Sequence, residues 1–122
     1  MSHTPHSVAI VGAGLAGLTL ALSLKQQNIH VTLYELRTPD YDFGGAIMLS
    51  PNALRVLDNL GAYARLQKLG FNFQTLTFMN DKSYERTGRY YFGHKEQYGY
   101  DALRIYRNVI ICLLYTSDAA DE

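Results

Sequence analysis

Apolar and polar residues follow three successive patterns in the first 35 positions of this chain. A short apolar run at 8–11 predicts a buried strand, and a second β-rich run at 31–34 predicts another. From Leu15 onward the apolar residues recur at helical spacing, which predicts a helix with Leu15, Leu18 and Leu22 on one face. The glycine-rich stretch GAGLAG at 12–17 joins the first strand to this helix. The pattern therefore predicts a strand–turn–helix–strand unit.

A second helix is predicted after position 50. Ser50 and Pro51 are typical of an N-cap and of a first helical residue, and Gly61 is typical of a helix end. A further short helical segment is expected over 62–68. The apolar stripe expected to be buried consists of Ala53, Leu54, Val56, Leu57 and Leu60.

From position 71 the period changes to two. The alternation and a turn at 80–83 predict one β-hairpin over 71–92, with Gly88 as a bend or bulge. A last strand is expected over 101–107, with Leu103 and Ile105 on one side. A helix is expected to begin at Asn108.

Two adjacent glycines, Gly44 and Gly45, follow a turn-rich break at 38–42. They predict a connection at 43–49 whose backbone is strained or lies close to another group. The alternative is a plain flexible connection.

Composition narrows the class of protein. The chain has 122 residues, 48% of them apolar, and 11 basic residues balance 11 acidic ones. This balance indicates neither a nucleic-acid partner nor a membrane surface. The single cysteine, Cys112, fits a reducing compartment, and the polar leader at 1–7 lacks the features of a signal peptide, so a cytoplasmic location is expected. No metal-ligand spacing is present, and no catalytic residue is assigned.

The glycines of the first unit match the needs of a dinucleotide site. Gly12 permits a tight turn out of the strand. Gly14, without a Cβ atom, lets a pyrophosphate approach the main chain, and Gly17 allows close packing between helix and strand. The first helical residues, Leu15 and Ala16, present unpaired N–H groups to an anion. The alternative is a set of glycines that serve packing alone.

An acid closes the second strand. Glu35 lies 18 positions after Gly17, where a carboxylate can accept hydrogen bonds from ribose hydroxyls. A carboxylate there disfavours a 2′-phosphate, so FAD or NAD is expected rather than NADP. Arg37 is interpreted either as a contact on the adenosine side or as a solvated charge. Arg107, where the last strand gives way to a helix, is interpreted as a contact to a cofactor phosphate or ribose, or as a surface salt-bridge residue.

Three stretches together resemble the N-terminal part of class A flavoprotein aromatic hydroxylases, in particular the salicylate-hydroxylase-like branch. They are AIVGAGLAGLTLALSL with the acid of LYELR, then GGAIMLSPNALRVLDNLG, then DALRIYRNVI. The first is shared by many flavoproteins, whereas the second and third are more specific to this family. The resemblance covers residues 8 to about 111.

The resemblance implies an α/β fold, with a Rossmann-like FAD-binding βαβ unit, an inserted β-hairpin and an incomplete domain. It implies FAD as cofactor, NAD(P)H as co-substrate, and O₂-dependent hydroxylation of an aromatic or polyketide-like small molecule. Gly12, Gly14, Gly17 and Glu35 match the family's ADP site. Gly45 and Ala46 match a loop near the flavin, although the family usually has glycine where Ala46 stands. Arg107 matches an arginine that contacts FAD.

The last eleven residues do not fit this picture. The string CLLYTSDAADE changes character in mid-helix and resembles the conceptual translation of a sequencing adapter. Residues 112–122 are therefore expected to be non-native, and 8–111 to be a truncated piece that is inactive alone. The open alternatives are an NAD-dependent dehydrogenase, another flavin oxidoreductase, or a non-catalytic nucleotide-binding fragment.

Overall fold

The computed structural model describes residues 6–38 and 44–116 and divides into two compact units. The terminal unit contains the described residues up to Gly45 and from Arg107 onward, and the central unit is Ala46–Tyr106. Predictions on 1–5, 39–43 and 117–122 lie outside the described residues. In chain order the elements are β1 (Ser7–Val11), α1 (Leu15–Gln26), β2 (His30–Tyr34), β3 (Ala46–Leu49), α2 (Pro51–Asn59), α3 (Tyr63–Leu66), β4 (Phe71–Phe73), β5 (Thr75–Met79), β6 (Arg86–Tyr91), α4 (Lys95–Tyr98), β7 (Ala102–Tyr106) and α5 (Arg107–Tyr115).

The terminal unit contains the predicted strand–helix–strand arrangement. β1 and β2 pair in parallel, in a register that runs from Ser7 opposite His30 to Val11 opposite Tyr34. α1 buries Leu18, Ala21 and Leu22, as the helical spacing predicts. Each fully buried leucine contributes roughly 1.5–3 kcal/mol relative to an exposed one. The βαβ prediction is confirmed, since α1 packs on both strands.

α5 completes the terminal unit by packing against α1. It begins one residue before the predicted Asn108 and runs to Tyr115, across the predicted boundary at 111/112. Leu113 and Leu114, beyond that boundary, are buried together with Ile110 and Ile111. Whatever the origin of the last residues, those at 112–115 are part of this helix; their non-native origin stays a prediction.

The central unit is built around an antiparallel sheet of order β3–β7–β4. Leu103 and Ile105 of β7 are buried and Arg104 and Tyr106 are exposed, which confirms the predicted facing of this strand. Both interpretations of 43–49, a strained or closely approached connection and a plain flexible one, treat it as a loop, and this is wrong for Ala46–Leu49, which form β3 and pair with β7. Four residues are too short to show a strand period, so the pairing with β7 decides the structure.

The predicted hairpin over 71–92 is only partly correct. Its first strand is divided at Gln74, because β4 pairs with β7 whereas β5 pairs with β6. The carbonyl of Gln74 accepts hydrogen bonds from the N–H groups of Phe92 and Gly93. The pairing of β5 with β6 passes from Phe78↔Gly88 to Met79↔Arg86 and skips Thr87, so the irregularity predicted at Gly88 lies one residue before it.

Two helices of the central unit, α2 and α3, bury leucine side chains. α2 buries Pro51, Leu54 and Leu57, but Val56 is 45% exposed, so its assignment to the buried stripe is wrong. Leu66 of α3 is completely buried. The polar residues of α4 gave no helical period, and this one-turn helix was not predicted. Within 6–38 and 44–116, every helix is too short or too polar to cross a bilayer.

Candidate functional site

The turn from β1 to α1 is held by a main-chain bond to the second strand. Gly12 has φ +102°, a conformation that side chains resist, and its N–H donates to the carbonyl of Tyr34 at 2.7 Å. Because Tyr34 is the last residue of β2, this bond places the glycine bend beside the end of that strand.

Gly17 and Gly14 serve different purposes in the bend. A Cβ atom on Gly17 would lie 1.9 Å from the Gly12 carbonyl oxygen, so only glycine lets the first turn of α1 pack against the bend. A Cβ atom on Gly14 would meet nothing within 4 Å. Gly14 is the N-cap of α1 and faces open space, which leaves room for a ligand at the main chain.

Glu35 reaches from the end of β2 to the glycine bend. Its Oε2 atom accepts a hydrogen bond from the N–H of Ala13 at 2.7 Å, and its Oε1 atom accepts one from the N–H of Arg37 at 3.0 Å. These N–H groups, Arg37 first and Ala13 second, hold the pKa of the Glu35 carboxyl below its ordinary value of 4.5. The carboxylate is exposed, and each oxygen keeps a lone pair for another donor.

The N-terminus of α1 adds positive potential at the same place. The N–H groups of its first turn, which include Leu15 and Ala16, have no partners within the helix. No acidic side chain lies in that turn, so its own residues leave the dipole uncompensated. Open space at Gly14, unpaired N–H groups and an accessible carboxylate fit a diphosphate that is joined to a sugar.

The other predicted site residues are divided between the two units, with Ala46 in the central unit and the rest in the terminal unit. Arg37 is exposed and contributes its N–H group to Glu35. Gly45 has φ +70° and accepts a hydrogen bond at its carbonyl from the N–H of Arg107 at 3.1 Å, so these two residues are neighbours in the terminal unit. Ala46 begins β3 in the central unit and pairs with Tyr106.

Two features of the site were missed at the level of sequence. The hydrogen bond between Glu35 and Ala13 depends on where the end of β2 lies relative to the glycine bend. The residues at 12–17 alone do not predict that position. Tyr115 is the second, since burial and then the charge of Glu35 raise the pKa of its phenol. In the part of the chain that the structure describes, no three His, Cys, Asp or Glu residues gather as a metal site.

This chain is similar to one protein family and to individual monooxygenases. The family model described as "FAD binding domain" matches residues 6–110. The FAD-dependent monooxygenase nodM of Hypoxylon pulicicidum is 35% identical over 118 residues, which cover 96% of this chain and 26% of nodM. The 3-amino-4-hydroxybenzoate 2-monooxygenase PtnB3 of Streptomyces platensis is 42% identical over 67 residues, covering 55% of this chain and 17% of PtnB3.

A solved structure shares the fold. Klebsiella pneumoniae HpxO, in a complex with FAD and uric acid, superimposes with a TM-score of 0.72 at 21% identity. The superposition covers 93% of this chain and 29% of the HpxO chain. The chain thus spans between about a sixth and a third of the length of these three proteins.

Proposed function

The chain belongs to the FAD-binding domain family found in FAD-dependent monooxygenases, and on that premise we propose that its terminal unit binds the ADP half of FAD. One observation carries this proposal. The Glu35 carboxylate lies at the glycine bend, 2.7 Å from the N–H of Ala13, where an adjoining diphosphate and ribose would be within reach of both groups.

Each residue of the bend has a proposed role. The N–H groups of Leu15 and Ala16 bind the diphosphate, with Gly14 providing the space for it. Glu35 accepts hydrogen bonds from the ribose hydroxyls. Gly12 and Gly17 give the bend its shape.

Four residues outside the bend also have proposed roles. We propose that Arg37 faces the adenosine side, and that Arg107 donates to a phosphate or ribose oxygen of FAD. Gly45 and Ala46 are proposed to offer main-chain atoms to the flavin part. The left-handed conformation of Gly45 supports a main-chain role at that position.

The complete enzyme is proposed to hydroxylate an aromatic or polyketide-like small molecule with NAD(P)H and O₂, in the cytoplasm. Bound FAD would supply the redox and oxygen chemistry. The names of the relatives support this, since nodM is an FAD-dependent monooxygenase and PtnB3 acts on an aminohydroxybenzoate. The 122-residue chain by itself is proposed to bind FAD without oxidising NAD(P)H, because it spans only part of those relatives.

A titration of FAD into the chain and two variants tests the proposed site. Glu35→Gln keeps the shape of the side chain but removes its charge, and should weaken FAD binding about tenfold. Glu85→Gln, on an exposed acid of the central unit, is the matched control and should bind like the wild type. Flavin fluorescence gives the dissociation constants. Equal affinity in the Glu35 and Glu85 variants would refute the role of Glu35, and tighter binding of NAD than of FAD would favour the dehydrogenase alternative.

A further inference from the structure

An exposed arginine lies in the middle of the sheet of the central unit. Arg104 belongs to β7, the central strand, and its neighbours across the sheet are Met48 on β3 and Phe71 on β4. Its side chain is on the exposed face, opposite the buried Leu103 and Ile105. The guanidinium carbon lies 5.4 Å from the centre of the Phe71 ring. A cation is therefore held on an aromatic ring in an apolar surrounding.

Arg104 is one of the residues that line a groove in the central unit. The Arg104 groove has a volume of about 380 Å³ and is lined mainly by Ala46, Leu69, Phe71, Arg104, Ile105 and Tyr106. Phe71 is 61% and Tyr106 is 66% exposed, so two aromatic rings are available at its wall. Within 6–38 and 44–116, no carboxylate lines the groove and no acid forms an ion pair with Arg104.

The wall of the groove is fixed by a glycine. A Cβ atom on Gly70 would lie 2.6 Å from the Arg104 carbonyl oxygen and 3.0 Å from Cβ of Ile105. Only glycine allows the chain before β4 to approach β7 this closely. Leu69 and Phe71, on either side of Gly70, are consequently held against the strand that carries Arg104.

We infer that the Arg104 groove binds a small aromatic carboxylate, with the guanidinium paired to the carboxylate and the ring packed against Phe71 and Tyr106. The volume is sufficient for one substituted ring, since ligand pockets begin at about 300 Å³. An arginine without an acidic partner is suited to bidentate binding of a carboxylate. The apolar walls favour an aromatic acid over an inorganic anion, which would gain nothing from them.

As a statement about substrate class this inference rests on the proposed monooxygenase function, and it makes Arg104 a residue that selects anionic substrates. As a statement about binding it stands by itself, because every residue of the groove lies in the central unit. The ADP half of FAD is assigned to the terminal unit, and Ala46 is the one residue of the groove that is also proposed to face the flavin. FAD and benzoate have separate readouts, so the binding of each can be measured on one sample.

The test compares benzoate with its neutral amide, benzamide, by calorimetric titration of the full 122-residue chain. The wild type should bind benzoate about tenfold more tightly than benzamide. Arg104→Gln should remove that preference, and Arg104→Lys should reduce it while retaining its direction. Arg89→Gln, on the exposed strand β6, is the matched control and should keep the full preference.

Several results would overturn the inference. They are equal binding of acid and amide by the wild type, a preference that survives in Arg104→Gln, no binding of either compound, and binding of inorganic phosphate as tight as that of benzoate. Circular dichroism checks that the variants are folded. If Arg104→Gln does not fold, the test is decided by whether Arg104→Lys reduces the preference for benzoate. FAD titrated into the same wild-type sample separates the two proposals, since FAD binding without benzoate preference rejects only the groove.

Discussion

At the scale of single residues, the three glycines of the bend have separable physical roles. Only glycine fits at position 17, because a Cβ atom there would lie 1.9 Å from the carbonyl oxygen of Gly12. Gly14 has an ordinary φ of −81° and empty space around its missing Cβ atom, so the protein alone does not need glycine there. The sequence predicts packing for Gly17 and ligand access for Gly14, and the structure adds the close contact at Gly17 and the open space at Gly14.

This difference predicts opposite effects for two alanine substitutions. Gly17→Ala should lower the free energy of unfolding by about 3 kcal/mol, the upper end of the cost of overpacking. Gly14→Ala should leave stability within about 0.5 kcal/mol, as for surface substitutions, and yet weaken FAD binding. Urea unfolding and FAD titration of both variants measure the two quantities. A stable Gly17→Ala protein, or a Gly14→Ala protein with unchanged FAD affinity, would contradict these roles.

Glu35 gives a prediction about pH. Because main-chain N–H groups lower its pKa in the folded chain, the ionised form is stabilised by folding. This stabilisation is complete above the unfolded value, about 4.5, and is lost as pH falls through the lower folded value. The melting temperature of the wild type should therefore fall more steeply below pH 4.5 than that of Glu35→Gln. Glu85→Gln should follow the wild type, and identical curves for all three would contradict the assignment.

At the scale of elements, α1, α3 and β7 form where they were predicted, whereas β3, α4 and the separation of β4 from β5 were not predicted. α1 shows more than three turns of helical spacing and forms where predicted. β3 has four residues, and β4 has three, so neither carries a period of its own. Both are strands because β7 lies between them, and such pairing between distant segments is absent from local pattern. The predicted first strand of the hairpin is divided at Gln74 for the same reason, because β4 pairs with β7 whereas β5 pairs with β6.

α5 allows a test at this scale. Leu114 is fully buried in the terminal unit, whereas Cys112, two positions before it, is exposed. Leu114→Ala should lower the free energy of unfolding by about 2–5 kcal/mol, and Cys112→Ala should change it little. Chemical denaturation compares the two. A Leu114→Ala protein as stable as the wild type would show that α5 does not support α1, and would leave residues 112–116 without a structural role.

At the scale of the whole molecule, a dinucleotide site could be predicted because the βαβ unit is local in sequence, whereas the family and FAD followed from the resemblance of the two later stretches. The glycines, helix and acid of the βαβ unit lie within residues 8–35 and confirm one another. The prediction could not extend to how Glu35 bonds to Ala13, or to the groove at Arg104, since both depend on contacts between separate segments.

The most direct test of the central claim is competition for bound FAD by its two halves. If the glycine bend and Glu35 hold the diphosphate and the adenine-side ribose, ADP should displace FAD from the 122-residue chain and FMN should not. Recovery of free-flavin fluorescence as ADP is added is the measurement. Displacement by ADP alone is the predicted result, whereas displacement by FMN with no effect of ADP would contradict the assignment of the ADP half to this unit.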